Sequence, residues 1–323
     1  MPEKQETMIK ILVTGSDGLV GTRLCSLLER AGNEVVRVDL RPRRKSSLAV
    51  DVLDFRSLSS SAAGCAGLIH LAAVSRVVWG ETDPERCLRT NVLGTANIAE
   101  LAASLPTKPW VMFASSREVY GHPRSLPVAE SHATAPINVY GRSKLFAEHI
   151  LRSLQQAGRR AAVVRLSSVY GSADDHHDRV VPAFCRAALA NDRLCVNGSN
   201  CTFDFTHVDD VAEGIFRMAQ MLSSGDALPE PIHLVSGVPT SLHALATLVI
   251  RCAISRSAIV EQPPRKYDMS YFVGDPARAE ALLGWKVVTT LDKGVARLLM
   301  DLRPRHVDPN AAALASLPNG DSG

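Results

Sequence analysis

The chain has 323 residues, 46% hydrophobic and 21% charged, with a net charge of +3. That is close to a globular average and long enough for a core domain plus a smaller lobe, so a largely disordered chain is excluded. The basic residues are scattered apart from Arg41, Arg43, Arg44 and Lys45, which argues against a nucleic-acid partner. No apolar run approaches the roughly 18 residues of a membrane span, which argues against a membrane protein. In chain order, 9–13 reads as a strand, 19–30 as an amphipathic helix and 34–39 as a second strand ending in an acid. Residues 48–52 and 67–71 read as further strands, 84–104 as one long helix, 110–114 as a strand, 139–156 as a second long helix and 161–166 as a strand. Strands that are apolar throughout and alternate with helices predict a parallel sheet covered on both faces. The second half is mixed: helices at 179–190, 210–222, 242–252, 276–283 and 291–302, short strands within 194–205 and a strand at 232–235. After residue 304 the composition turns to Ala, Pro, Asn, Asp, Ser and Gly, so 305–323 is expected to be a disordered tail.

The seven cysteines include no C-x-x-C pair and are odd in number, which argues against a disulfide framework or a zinc site. Residues 1–7 lack the apolar stretch of a secretory signal. Reduced thiols in a cytoplasmic protein are the expectation. The run Asp174-Asp175-His176-His177-Asp178 has metal-ligating residue types, but adjacent histidines do not readily converge on one ion, so no metal is expected. His70 and His207 lie inside apolar runs and read as satisfied interior histidines.

The strongest local signal is Gly15-Ser16-Asp17-Gly18-Leu19-Val20-Gly21, set between the first strand and the first helix. Gly15 permits a tight turn, Gly18 lets backbone approach a pyrophosphate, and Gly21 allows close helix packing; the helix N-terminus then faces the phosphates. The spacing is G-x-x-G-x-x-G. Asp39, ending the second strand, is placed to accept bonds from the adenosine ribose hydroxyls and to repel a 2′-phosphate, which favours NAD over NADP. Arg41, Arg43 and Arg44 lie close enough to leave NADP open.

Tyr140 and Lys144 are four residues apart and share one helix face. A free tyrosine with a pKa near 10 is too weak an acid to act as a base at neutral pH. A nearby ammonium would lower it, allowing the phenol to exchange a proton with a substrate hydroxyl. Ser115 and Ser116 end the strand at 110–114, where open α/β sheets bind their ligands.

This order of features resembles the extended branch of the short-chain dehydrogenase/reductase superfamily, the NAD-dependent nucleotide-sugar epimerases and dehydratases. The likeness runs from about residue 9 to 302. It extends to His70-Leu71-Ala72-Ala73, Asn91-Val92-Leu93-Gly94-Thr95, Ser115 through Gly121, Arg165 through Gly171, Asp204 through Asp210, and Leu283-Gly284-Trp285. It implies an α/β Rossmann fold, a doubly wound parallel sheet with a smaller mixed C-terminal substrate lobe. The nucleotide-binding part would be 8–171, with 205–240 returning to it, and the substrate part 172–204 and 241–304. It assigns catalysis to Ser116, Tyr140 and Lys144, with Glu118 an acid, a base or a loop carboxylate. It assigns NAD contacts to Gly15, Gly18, Leu19, Val20, Gly21, Asp39, Asp51, Val52, Leu71, Ala72, Ala73, Tyr140, Lys144 and Leu166. Ser75, Ser116, Arg117, Ser168, Phe203 and Arg265 fall on the substrate side. Asn91 matches an asparagine of structural role. The family's pattern also implies a homodimer formed through the two long helices.

Three positions depart from the pattern. Arg117 replaces the aspartate of the dehydratases, which argues against water elimination. Ser168 stands where the family often has asparagine, and Phe203 where it often has an arginine that clamps the diphosphate; Arg265 and Lys266 are replacement cations. The expected function is NAD-dependent epimerisation of a sugar, nucleotide-linked, through a transient keto sugar. The alternatives are a sugar or uronate dehydrogenase or reductase with net cofactor turnover, and a non-catalytic NAD-responsive binding protein.

Overall fold

The computed structural model of the chain describes residues 8–228 and 230–303; the tail expected at 305–323 lies outside them. The first half runs β1 (Lys10–Thr14), α1 (Leu19–Arg30), β2 (Glu34–Asp39), β3 (Ser47–Ala49), α2 (Phe55–Ser61), β4 (Gly67–His70), α3 (Val77–Thr82), α4 (Pro84–Leu88), a π turn (Arg89–Leu93), α5 (Gly94–Ser104), β5 (Trp110–Ser116), a 3-10 turn (Arg117–Val119), α6 (Val139–Gln156) and β6 (Ala161–Leu166). The second half runs β7 (Ser168–Tyr170), α7 (Val180–Ala190), β8 (Leu194–Asn197), β9 (Thr202–His207), α8 (Val208–Ser224), β10 (Ile232–Leu234), β11 (Pro239–Ser241), α9 (Leu242–Ala253), β12 (Ile259–Gln262), α10 (Ala277–Leu283) and α11 (Leu291–Leu302).

Seven strands form one sheet in the order β10-β6-β5-β4-β1-β2-β3, and every neighbouring pair is parallel. This is the Rossmann-type doubly wound sheet. Successive strand residues point to opposite faces, and both faces are covered. Ile11 and Val13 pack into one apolar layer with α1, α8 and α10 residues such as Leu24, Ile215 and Leu283. Leu12 packs into the other, with Leu58, Ile98 and Leu151 of α2, α5 and α6. A third apolar cluster, including Phe184, Val249 and Leu298, lies between α7, α9 and α11.

Two expected elements differ in extent. The strand expected at 48–52 covers only Ser47–Ala49, because Asp51 turns the chain: its carboxylate accepts from Leu53 N and its carbonyl from Asp54 N. The helix expected at 84–104 is interrupted by the π turn around Asn91. The buried Asn91 side chain accepts from Val74 N (2.8 Å) and donates to Val74 O (3.1 Å) and Ser143 Oγ (2.8 Å). Turning that amide inward widens the helix by one residue, a feature that recurs at functional sites. Helices α2 and α3 and strands β7, β11 and β12 are additions to the sequence reading.

Two sequence motifs act as braces. The buried Asp204 carboxylate accepts from Ser236 N, Ser236 Oγ and Gly237 N, holding the loop after β10. Asp210 accepts from Val288 N and Thr289 N, while Trp285 Nε1 donates to Asp210 O. The Leu283-Gly284-Trp285 run is thereby fastened to the start of α8.

Candidate active site

A cleft of about 1240 Å³ opens along the C-terminal ends of the sheet strands. It spans the point between β1 and β4 where the strand order reverses, the place where doubly wound sheets bind ligands. It is bordered by Gly15, Gly18, Leu19, Val20, Gly21, Asp39, Asp51, Val52, Leu71, Ala72, Ala73 and Leu166 on one side, and by Ser75, Ser116, Arg117, Glu118, Tyr140, Lys144, Ser168, Phe203 and Arg265 around the rest, whereas Lys266 is not among the residues that line it.

The glycine loop meets the requirements of a dinucleotide. Gly15 has φ +68°, and a Cβ there would lie 2.8 Å from Ala72 N; a Cβ on Gly21 would lie 2.1 Å from Gly15 O. Only glycine lets α1 start this close to β1, which brings its free N–H groups and positive dipole end to the cleft. Asp39 borders the cleft with its carboxylate anchored by Asp17 N (3.1 Å) and Arg41 N (3.0 Å). Asp17 is a residue that sequence reasoning left inside the glycine motif without a role. Its carboxylate gathers Ser47 Oγ and the backbone N–H groups of Arg43 and Arg44. Burial would raise its pKa, but these hydrogen bonds and the Arg44 charge outweigh burial and hold it below the usual carboxylate range. The arginine-rich loop is thus folded down by Asp17. Arg44 Nη1 bonds Thr22 Oγ1, and Arg43 Nη1 reaches Asp174 O on the opposite rim.

Ser116, Tyr140 and Lys144 come together at the end of β5. Asn138 caps α6 by accepting from Gly141 N (2.7 Å), which sets the first turn and with it Tyr140. The Ser116 hydroxyl lies close to the Tyr140 phenol, and Ser116 Oγ accepts from Glu118 N (3.2 Å). Burial pushes the phenol up to about 12; the Ser116 hydroxyl and the Arg179 charge act the other way. Lys144 Nζ donates to Ala114 O (2.8 Å) and sits 5.9 Å from the Tyr140 ring centroid. Burial pushes this ammonium down to about 8, so it is still charged at neutral pH. Glu118 is buried; one oxygen accepts from Asn138 Nδ2 (2.8 Å) and the other lies 3.4 Å from Arg117 Nε.

The acid and histidine run does not converge on an ion, and no group of three or more metal-ligating side chains occurs among the described residues. Its residues hold the rim together. Asp178 pairs with Arg76, His176 meets the Trp79 ring edge-on at 4.7 Å, and Asp175 lies 3.5 Å from Arg179. Arg76, Trp79 and Arg179, all bordering the cleft, were missed by sequence reasoning. Their partners in the strap are up to 102 residues away, beyond any periodicity or local motif. His70 is satisfied by Thr14 Oγ1 (2.7 Å) and Thr95 Oγ1 (3.2 Å), and burial pushes it down to about 3. His207 caps α8 through its Nδ1.

A family model, the NAD dependent epimerase/dehydratase family, matches residues 11–232. The chain belongs to this family of enzymes. It is 28% identical to a UDP-glucose 4-epimerase of Mycolicibacterium smegmatis over 309 residues, covering 90% of this chain and 97% of that protein. Among solved structures, the UDP-glucose 4-epimerase of Brucella ovis in complex with NAD superposes with a TM-score of 0.83 at 28% identity, over 91% of this chain and 98% of that one. MoeE5 in complex with UDP-glucuronic acid and NAD superposes with a TM-score of 0.82 at 26% identity, over 90% and 98%.

Two predictions follow from this geometry. Asp39→Asn should weaken NADH binding by about 10-fold and narrow the preference over NADPH. Fluorescence titration with both nucleotides checks this, and an unchanged ratio refutes the role given to Asp39. The second concerns Lys144, whose folded value lies below its unfolded one. Between about pH 8 and 10.5 the unfolded chain binds more protons, so this group makes stability rise with pH across that window. Relative to Lys144→Met, the wild type should gain stability from pH 8 to 10.5 in urea unfolding, and a flat difference would count against a buried ammonium. At pH 7 the same variant should lose about 10²- to 10⁴-fold in turnover.

Proposed function

We propose that this chain is an NAD-dependent epimerase of a nucleotide-linked sugar. The observation that carries the reading is the meeting of Ser116, Tyr140 and Lys144 in the same cleft as the glycine cradle and Asp39. Its volume exceeds the usual range for a single small ligand, roughly 300–1,000 Å³, and suits a dinucleotide plus a second molecule. NAD bound there would accept a hydride from the sugar and return it to the opposite face. The chain's own groups handle the proton and the positioning. Tyr140 takes the proton of the reacting hydroxyl and later gives it back. Ser116, whose hydroxyl lies close to that phenol, orients the same oxygen. Lys144, fixed on Ala114 O, supplies positive charge that favours the phenolate. Position 117 is arginine, so the aspartate that dehydration would employ is absent.

Retention of the cofactor is supported by the rim. Arg43 to Asp174, Arg76 to Asp178 and Trp79 to His176 tie the segment 172–178 across the cleft mouth. A strap of this kind suits an enzyme that reuses one NAD, more than one that exchanges it each cycle. We divide the chain into a nucleotide part, 8–171 with 205–240 returning, and a substrate part made of 172–204 and 241 onward; the entry of β10 into the main sheet beside β6 supports this. We place the protein in the cytoplasm, a reading supported by seven unpaired cysteines of which five are buried. We further propose a homodimer through the two long helical stretches, 84–104 and 139–156, where Leu88 of α4, Leu93 of the π turn and Phe146 of α6 are exposed.

Two experiments test these readings. The purified protein should release close to one NAD per chain on gentle denaturation and convert UDP-glucose or another nucleotide sugar to its 4-epimer, followed by NMR, without accumulating NADH. Stoichiometric NADH production, or an empty site with turnover only on added NAD, would overturn epimerisation in favour of net redox. For the dimer, light scattering should give twice the chain mass for the wild type and the chain mass for Leu93→Glu with Phe146→Glu; a monomeric wild type refutes it.

A further inference from the structure

Beside the reacting position lies a guanidinium that the mechanism above does not use. Arg117 directly follows Ser116 and borders the cleft. Its side chain is 15% exposed and its guanidinium carbon sits 4.1 Å from the centroid of the Phe203 ring, a contact that holds a planar cation in place without neutralising it. Its ion pair to Glu118 Oε1 is 3.4 Å long, and Glu118 is also bonded to Asn138. Arg117 Nη1 is buried with no hydrogen-bond partner. Leaving a donor of a charged group unpaired inside a protein is costly. A buried guanidinium with a free donor on the cleft wall is suited to an oxyanion.

We propose that Arg117 binds an oxyanion of the substrate at the sugar end of the cleft, with Phe203 as the platform that positions its guanidinium. This rests on the nucleotide-sugar reading and sharpens it. The oxyanion is either a carboxylate carried by the sugar, as in a uronate, or the phosphate that joins sugar to nucleotide. Both present the paired oxygens that a guanidinium fork matches. Arg265, the cation expected for the phosphates, also borders the cleft but is paired with Asp268 at 2.6 Å, whereas Arg117 has a donor to spare.

The test is calorimetric titration of the NAD-loaded protein with UDP, UDP-glucose and UDP-glucuronate, for the wild type, Arg117→Gln and Arg117→Lys. If the anion is a sugar carboxylate, Arg117→Gln weakens UDP-glucuronate relative to UDP-glucose by about 10- to 100-fold. If it is the phosphate, all three ligands, UDP included, weaken by a common factor of that size. Arg117→Lys, which keeps the charge and much of the stem, should restore part of the loss in either case, and it carries the test if the glutamine variant is unstable. Wild-type affinities for all three ligands in a folded Arg117→Gln protein would overturn the proposal while leaving the epimerase reading intact. A wild type that binds none of the three, nor GDP- or dTDP-linked glucose, would overturn the nucleotide-sugar reading and this assignment with it.

Discussion

Arg165 and Glu148 meet in a bidentate bond of 2.7 and 2.9 Å in the interior, and the position of the reacting groups depends on it. Glu148 lies on α6 two turns from Tyr140, and Arg165 lies on β6. The same carboxylate accepts from Ser115 Oγ on β5. Arg165 also donates to Tyr120 OH and Glu130 O, and Tyr120 OH is bonded to His233 of β10. One ion pair therefore ties α6 to three adjacent strands of the sheet. Removing one partner of such a pair costs about 3–5 kcal/mol, because the other charge is left buried alone. Slippage of α6 along the sheet would break the Glu148 bonds to Arg165 and Ser115 together.

The opposite flank of α6 is held by Asn91. Its amide reaches Ser143 Oγ, which itself donates to Tyr140 O (2.7 Å). The π turn is thus coupled, through two hydrogen bonds, to the backbone of Tyr140. Asn91 also clamps both backbone groups of Val74, which fixes the loop leading from Ala72 and Ala73 toward Ser75. The loop 72–75 that borders the cleft and helix α6 share one asparagine.

The parallel sheet, the glycine loop, Asp39 and the Ser116, Tyr140, Lys144 set were legible in the sequence because each rests on local information. Apolar strand runs, Gly15 and Gly21 with no room for a Cβ, and a four-residue helical spacing all leave marks within a few residues of one another. The π turn was not legible, since 84–104 has an unbroken helical pattern and the distortion comes from Val74 and Ser143, far off in the chain. Asp17 was hidden for a related reason: its ligands, Arg43, Arg44 and Ser47, are brought to it only after β2 pairs with β1. Arg76, Trp79 and Arg179 acquire meaning only when the segment 172–178 folds back over the cleft.

Position 203 joins these scales. Read as a sequence, Phe203 is a missing cation, with Arg265 and Lys266 as its replacements or a substrate without a diphosphate as the other option. In three dimensions the aromatic ring lies under the guanidinium of Arg117, which comes from the end of β5, 86 residues earlier in the chain. The positive charge has not left the cleft; it is delivered from the catalytic strand and steadied by the ring. A guanidinium carried next to Ser116 is fixed by the same bonds that fix α6, since Glu118 connects Arg117 to the Asn138 cap of that helix. In the proposed reading, the group that meets substrate charge and the cap that sets Tyr140 therefore depend on one short stretch of backbone, 115–118, built from the end of β5 and the 3-10 turn that follows it.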